Sequence, residues 1–158
     1  MFDSEIQMIR IPESHHFFSI NTFRNRSGII SIEVDENNTI FDSRDNCNAI
    51  IRRNGNKLIY GCNNSTIPNG IEVIDYRAFD GCTGLTSAII PDSVHTVGAY
   101  AFSGCTNLSS VKMSDSVTSI GEGAFRYCKK LKTIIIPKES KGKFEKLLSK
   151  YKNKICEQ

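Results

Sequence analysis

The chain has 158 residues, 39% hydrophobic and 23% charged, with four prolines, no tryptophan and a net charge of +3. That suffices for one packed domain, and the charge density is too ordinary for a disordered chain. No window approaches the ~18 consecutive apolar residues of a membrane-spanning helix, and Met1–Arg10, with Asp3 and Glu5, lacks the apolar run of a signal peptide.

A 23-residue period organises the chain, and its phase names each element in turn. Ile6, Ile9 and Ile11 form a partial strand ended by Pro12. Phe18 takes the slot held later by Val97, and Ile29, Ile32 and Val34 take those of Leu108, Val111 and Met113. Residues 35–68 form an irregular rung: Val34 to Ile67 is a step of 33 residues, the period plus an insert of 10. Within it Asn54-Gly55 separates two strand-like runs, and Asn-Gly favours a two-residue type I′ turn. A β-hairpin is expected there, projecting from the repeats or folded over them.

Three gapless copies follow: Asn69–Pro91, Asp92–Ser114 and Asp115–Pro137. Each has aliphatic residues at Ile71/Val94/Val117 and Ile74/Val97/Ile120, then Ala-Phe at 78-79, 101-102 and 124-125. Cys82/Cys105/Cys128 and Leu85/Leu108/Leu131 come next, then the alternating pairs Ala88-x-Ile90, Val111-x-Met113 and Ile134-x-Ile136. Pro12, Pro68, Pro91 and Pro137 all fall at the strand end, where a missing N–H stops pairing. One copy has about seven apolar residues, too few to offset the ordering cost alone, so copies must stack and share a core. Gly98 and Gly121, with Asp75 in the same slot, are expected at tight bends with positive φ. Ala-Phe-x-x-Cys reads as one helical or 3₁₀ turn with its Phe in the core.

Beyond Pro137 the period changes. Phe144, Leu147, Leu148, Tyr151 and Ile155 lie at helical spacing, so Glu139–Ile155 is expected to be an amphipathic helix that caps the last rung. The start has no such cap, which suggests that the chain begins partway through a longer array. From Arg126 onward 11 Lys/Arg face 3 Asp/Glu. Without interleaved aromatics these read as a solvated basic end rather than a nucleic-acid site.

The run Leu-x-x-Ile-x-Ile-Pro-x-Ser-Val-x-x-Ile-Gly-x-x-Ala-Phe-x-x-Cys resembles the BspA-like leucine-rich repeat of bacterial surface proteins and some protists. The match is close over Asn69–Pro137 and weaker over Ile6–Val34. Thr22 and Arg26 depart from it in the Ala and Cys slots, and Ser114 in a Pro slot. Asp42–Ile50 with Leu58–Cys62 resembles an insert seen in such proteins from gut bacteria. The resemblance implies a curved, right-handed solenoid that binds proteins, often at the cell surface, with no catalytic residues to transfer. The expected fold is therefore an α/β repeat solenoid, a leucine-rich-repeat right-handed superhelix with 23-residue rungs. Residues 1–137 form the solenoid, with regular repeats at 69–137 and an irregular rung carrying the hairpin insert at 35–68, and residues 138–158 form the amphipathic capping helix.

Candidate chemistry is sparse. Cys82, Cys105 and Cys128 recur as a ladder and read as small buried hydrophobes, because structural zinc wants ligand pairs closer in sequence. Cys47 and Cys62 are equidistant from the Asn54-Gly55 turn and would face each other across the hairpin, within disulfide reach in a secreted protein. His15 reads as a degenerate core position, and His95 as exposed. No catalytic, cofactor or metal residues are assigned. The binding candidate is the outer face of six stacked strands. One column is Arg10, Glu33, Thr66, Ile89, Lys112 and Ile135; Ser87, Ser110 and Thr133 belong to the other. A protein or peptide is the expected partner of a monomeric, non-catalytic module, with no nucleic acid and no membrane insertion. It is read as part of a bacterial cell-surface or secreted protein; an intracellular scaffold and a structural spacer are the alternatives.

Overall fold

The computed structural model describes residues 7–19, 22 and 28–158. The positions assigned above to Ile6 and Arg26 lie outside the described residues. β1 (Met8–Ile11) and β2 (Ser31–Val34) pair in parallel, Met8 opposite Ser31 and Ile11 opposite Val34. β3 (Phe41–Asp42), a 3₁₀ turn at Arg44–Asn46, β4 (Ala49–Arg52) and β5 (Lys57–Gly61) make up the insert. Two rows of short strands then alternate: β6 (Val73–Ile74), β8 (Thr96–Val97) and β10 (Ser119–Ile120) in one, and β7 (Ser87–Ile89), β9 (Ser110–Lys112) and β11 (Thr133–Ile136) in the other. The chain ends with α1 (Lys141–Leu147), a 3₁₀ segment at Ser149–Lys154 and β12 (Ile155–Glu157).

The strands form three sheets. β1 and β2 stand alone, the six-stranded sheet runs β10-β8-β6-β5-β4-β3, and the four-stranded sheet runs β12-β11-β9-β7. Between the rows, Ala-Phe-x-x-Cys is a run of tight turns rather than a helix. Its backbone bonds to the next copy: Phe79 N–H donates to Ala101 C=O at 2.7 Å, and Phe102 N–H to Ala124 C=O at 2.8 Å. Repetition therefore places identical side chains one above another. Phe79, Phe102 and Phe125 stack nearly parallel, with centroids 4.9 and 5.4 Å apart. They are the spine of the core.

The glycine expectation is corrected. Neither Gly98 nor Gly121 has a positive φ, nor does Asp75; the left-handed positions that recur in all three repeats are Arg77, Tyr100 and Gly123, and then Gly81, Gly104 and Tyr127. What Gly98 and Gly121 supply is closeness. A Cβ on Gly121 would meet Ala99 N at 2.3 Å, and one on Gly98 would meet Asp75 C at 2.7 Å. Only glycine lets the backbones of successive copies approach so nearly.

The hairpin neither projects nor folds over the repeats. Ile50 packs in a cluster with Ile9, Ile11, Ile29, Ile32 and Phe41, while Ile51 and Leu58 pack in the main core. β4 is thus buried on both faces, a wall between two cores. Its turn spans four residues, with Asn56 N–H donating to Arg53 C=O at 3.2 Å and positive φ at Gly55 and Asn56 but not Asn54. This excludes type I′, which needs positive φ at both central residues.

The C-terminal expectation is half corrected. Phe144 and Leu148 are buried in the main core, and Tyr151 packs edge-on against Phe125 at 6.0 Å. The helix stops at Leu147, however, and residues 155–157 pair in parallel with β11.

Candidate functional site

Parallel pairing builds the outer face. Ser87 lies opposite Ser110 and Ser110 opposite Thr133; Ile89 lies opposite Lys112 and Lys112 opposite Ile135. Because strand side chains alternate, Ala88, Val111 and Ile134 turn inward and are buried. Ile89 and Lys112 are exposed, Ile135 is half-buried, and Ile89 keeps 66% of its surface.

The face has fewer members than expected. Arg10 and Glu33 form an exposed ion pair at 3.4 Å, but on the separate β1–β2 sheet. Thr66 is in no strand: its N–H donates to Cys47 C=O at 3.0 Å, which ties it to the insert. The expected six-stranded face is therefore four strands wide, and one of the four, β12, was not foreseen. Cys156 of β12 lies opposite Ile135 and is exposed, extending the Ile89–Lys112–Ile135 column. Ile155 sits 21 residues after Ile134, off the period, and its apolar character fitted the helical reading as well.

The paired-cysteine expectation also fails. Near the turn the strands pair as foreseen, Arg52 with Lys57 and Ile51 with Leu58. A β-bulge then shifts the register so that Ile50 faces Tyr60. One residue of slip sends every later side chain to the other face. Cys47 packs in the main core and contacts Ser43, whereas Cys62 packs in the N-terminal cluster and meets Asn48 C=O at 3.4 Å. Both are free thiols on opposite sides of the wall.

The cysteine ladder is inert by environment. Cys105 Sγ donates to Phe79 C=O at 3.1 Å and Cys128 Sγ to Phe102 C=O at 3.0 Å. Burial pushes the Cys128 thiol up to about 11 and holds Cys82 and Cys105 higher still, so all three stay protonated at neutral pH. Among the described residues no three His, Cys, Asp or Glu side chains are grouped closely enough to hold a metal. His15 is half-buried against Phe18 with centroids 4.5 Å apart, and His95 is exposed.

Two polar anchors escaped the sequence reading. Asn38 is fully buried, its Nδ2 donating to Pro12 C=O and His15 C=O at 2.9 Å and its Oδ1 accepting from Ile40 and Phe41 N–H. Asp42, also buried, pairs with Arg44 at 2.8 Å and Arg53 at 3.2 Å. Neither recurs with the period, so no repeat signal could reveal them.

Short strands repeating in register around a shared apolar core, with few helices, define a leucine-rich repeat fold. Residues 50–152 match the BspA type leucine rich repeat region in six copies, and the chain belongs to that family. Among solved structures it is similar to a leucine-rich cell-surface protein from Faecalibacterium prausnitzii, with 26% identity and a TM-score of 0.59 over 84% of this chain and 42% of that one. It also resembles in fold a leucine-rich repeat protein from Eubacterium ventriosum, with 18% identity and a TM-score of 0.57 over 83% of this chain and 42% of that one. The chain thus spans under half the length of either. No curated protein sequence matches it. Among the described residues no helix is long and apolar enough to cross a membrane.

Proposed function

We propose that this chain is a non-catalytic protein-interaction module of a bacterial cell-surface or secreted protein. The module is a right-handed solenoid of 23-residue rungs over residues 1–137, with residues 138–158 as its terminal cap. It works as a monomer, and its partner is a protein or peptide rather than nucleic acid. The supporting observation is the in-register column Ile89, Lys112 and Ile135, where an exposed and a half-buried aliphatic side chain flank a charge on a parallel sheet. An exposed apolar patch rimmed by polar or charged groups is a recurring mark of a protein contact site. The likeness to a protein described as a leucine-rich cell-surface protein supports the location.

The test is the triple change Ile89→Asp, Lys112→Glu and Ile135→Asp. All three side chains lie outside the core, so the melting temperature should hold within a few degrees. Affinity for a purified partner should fall at least tenfold; undiminished binding would move the site off this sheet.

A further inference from the structure

The four-stranded sheet stops at β7, yet the chain continues beneath it. Residues 64–67 run where the next strand would lie, but they are drawn toward the insert. Thr66 N–H donates to Cys47 C=O, and Ser65 Oγ accepts from Cys62 N–H at 2.6 Å and donates to Asn48 C=O. Among the described residues no backbone bond joins 64–67 to β7. The neighbouring ladder shows which groups are left open. Ile90 N–H donates to Lys112 C=O, so Ala88 and Ile90 face β9, and the N–H and C=O of Ser87 and Ile89 face the gap.

Behind this gap lies a cavity of about 310 Å³. Its floor is Phe79, Phe102, Leu85 and Ala88, its wall is Ser65 to Ile67, and no charged side chain lines it. The cavity has a cause in the repeat. One inward slot holds Ser65, Ala88, Val111 and Ile134 in successive copies, and it is underfilled where Ser65 and Ala88 stand. The volume is about twice the roughly 150 Å³ of an apolar cavity that holds benzene.

We propose that this gap binds an extended peptide segment by edge-strand addition, with one apolar side chain filling the cavity. The proposal names the partner class for the binding face above and rests on that reading. In a parallel ladder the residue opposite Ala88 donates its N–H to Ser87 C=O and accepts at its own C=O from Ile89 N–H. Its side chain then points to the same side as Ala88, into the cavity. The uncharged lining selects an aliphatic or aromatic residue, because a charge would be desolvated there without a partner. A second folded copy does not fit. A stable dimer buries on the order of 1,200–2,000 Å² in total, and a recess entered along a three-residue strand cannot supply it.

The probe is the synthetic series acetyl-Ser-Thr-X-Thr-Ser-amide, with X as Leu, Phe, Ala or Asp, added to the ¹⁵N-labelled chain. Leu or Phe should shift the Ser87 and Ile89 amide signals and bind at least tenfold more tightly than Asp. N-methylation of X should cost at least tenfold by removing the donor to Ser87. Ala88→Ile, which copies the Ile134 slot, should fill the cavity, keep the fold and abolish binding. If that variant fails to fold, the N-methylated peptide decides. Equal binding of the Leu and Asp peptides, no amide shift, or self-association lost in Ala88→Ile would each overturn the proposal. Peptide binding that survives while a protein partner ignores the triple change would instead overturn only the broader face reading; the reverse pattern would overturn only edge addition.

Discussion

The regular repeats at 69–137 and the region before them bury side chains by different means. In the repeats almost every buried position is apolar and recurs, so each apolar side chain meets its counterpart in the neighbouring copy, and Phe102 meets one on either side. In the earlier region the insert breaks that translation, and backbone groups that lose a neighbouring copy need other partners. Asn38 satisfies four of them, and Asp42 gathers two arginines. Repetition provides hydrogen bonding without side chains; an interruption must supply specific polar joints. The same interruption withdraws residues 64–67 from the outer sheet and leaves β7 as an edge.

The largest effect that can break this comparison is at the spine. Phe102→Ala removes the middle ring of the stack and should cost about 3–5 kcal/mol in chemical denaturation. A loss under about 1 kcal/mol would mean that the stack is not the shared core. In the irregular region, Asn38→Ala should cost roughly 1–3 kcal/mol, because it orphans buried backbone groups without opening a large cavity. Hydrogen exchange sharpens the contrast. Amides near Phe41 should lose protection in Asn38→Ala while those of β9 and β11 keep theirs, and uniform loss would make the two regions one cooperative unit.

A backbone contact is tested next. Gly121→Ala should destabilise by about 1–3 kcal/mol, since the new Cβ would strike Ala99 backbone. Gly142→Ala, which meets nothing within 4 Å, should be neutral or slightly stabilising. Equal effects in a thermal melt would show that glycine at 121 answers no close approach. The smallest effect follows from the thiol ladder. Cys128 has a folded-state value raised from 9.0 to about 11, so its neutral form is favoured by folding. Its contribution to stability is complete below about pH 9 and declines as pH rises from there toward 11. Denaturation midpoints at pH 7.5 and 10 should therefore differ, and Cys128→Ala should narrow that difference.

The alternation Ala88-x-Ile90, Val111-x-Met113 and Ile134-x-Ile136, the Ala-Phe pairs and the Cys ladder were legible because each is enforced by its own copies one period away. Their facing, burial and register follow from translation alone. The face column Ile89, Lys112 and Ile135 was legible for the same reason, while Arg10, Glu33 and Thr66 were not separable from it by phase.

Sequence by itself determined the repeat, its phase, its inward and outward residues and its family, because periodic apolar residues have one economical way to bury themselves. Only the tertiary structure decided what happens where the period fails. The bulge between Ile50 and Ile51 parts Cys47 from Cys62, and β12 adds a strand off the period. Ser65 and Thr66 are bound to the insert rather than to β7. Each of these depends on hydrogen bonds between segments far apart in the chain. Such bonds carry no local pattern, so they are settled only when the two cores close on the wall between them.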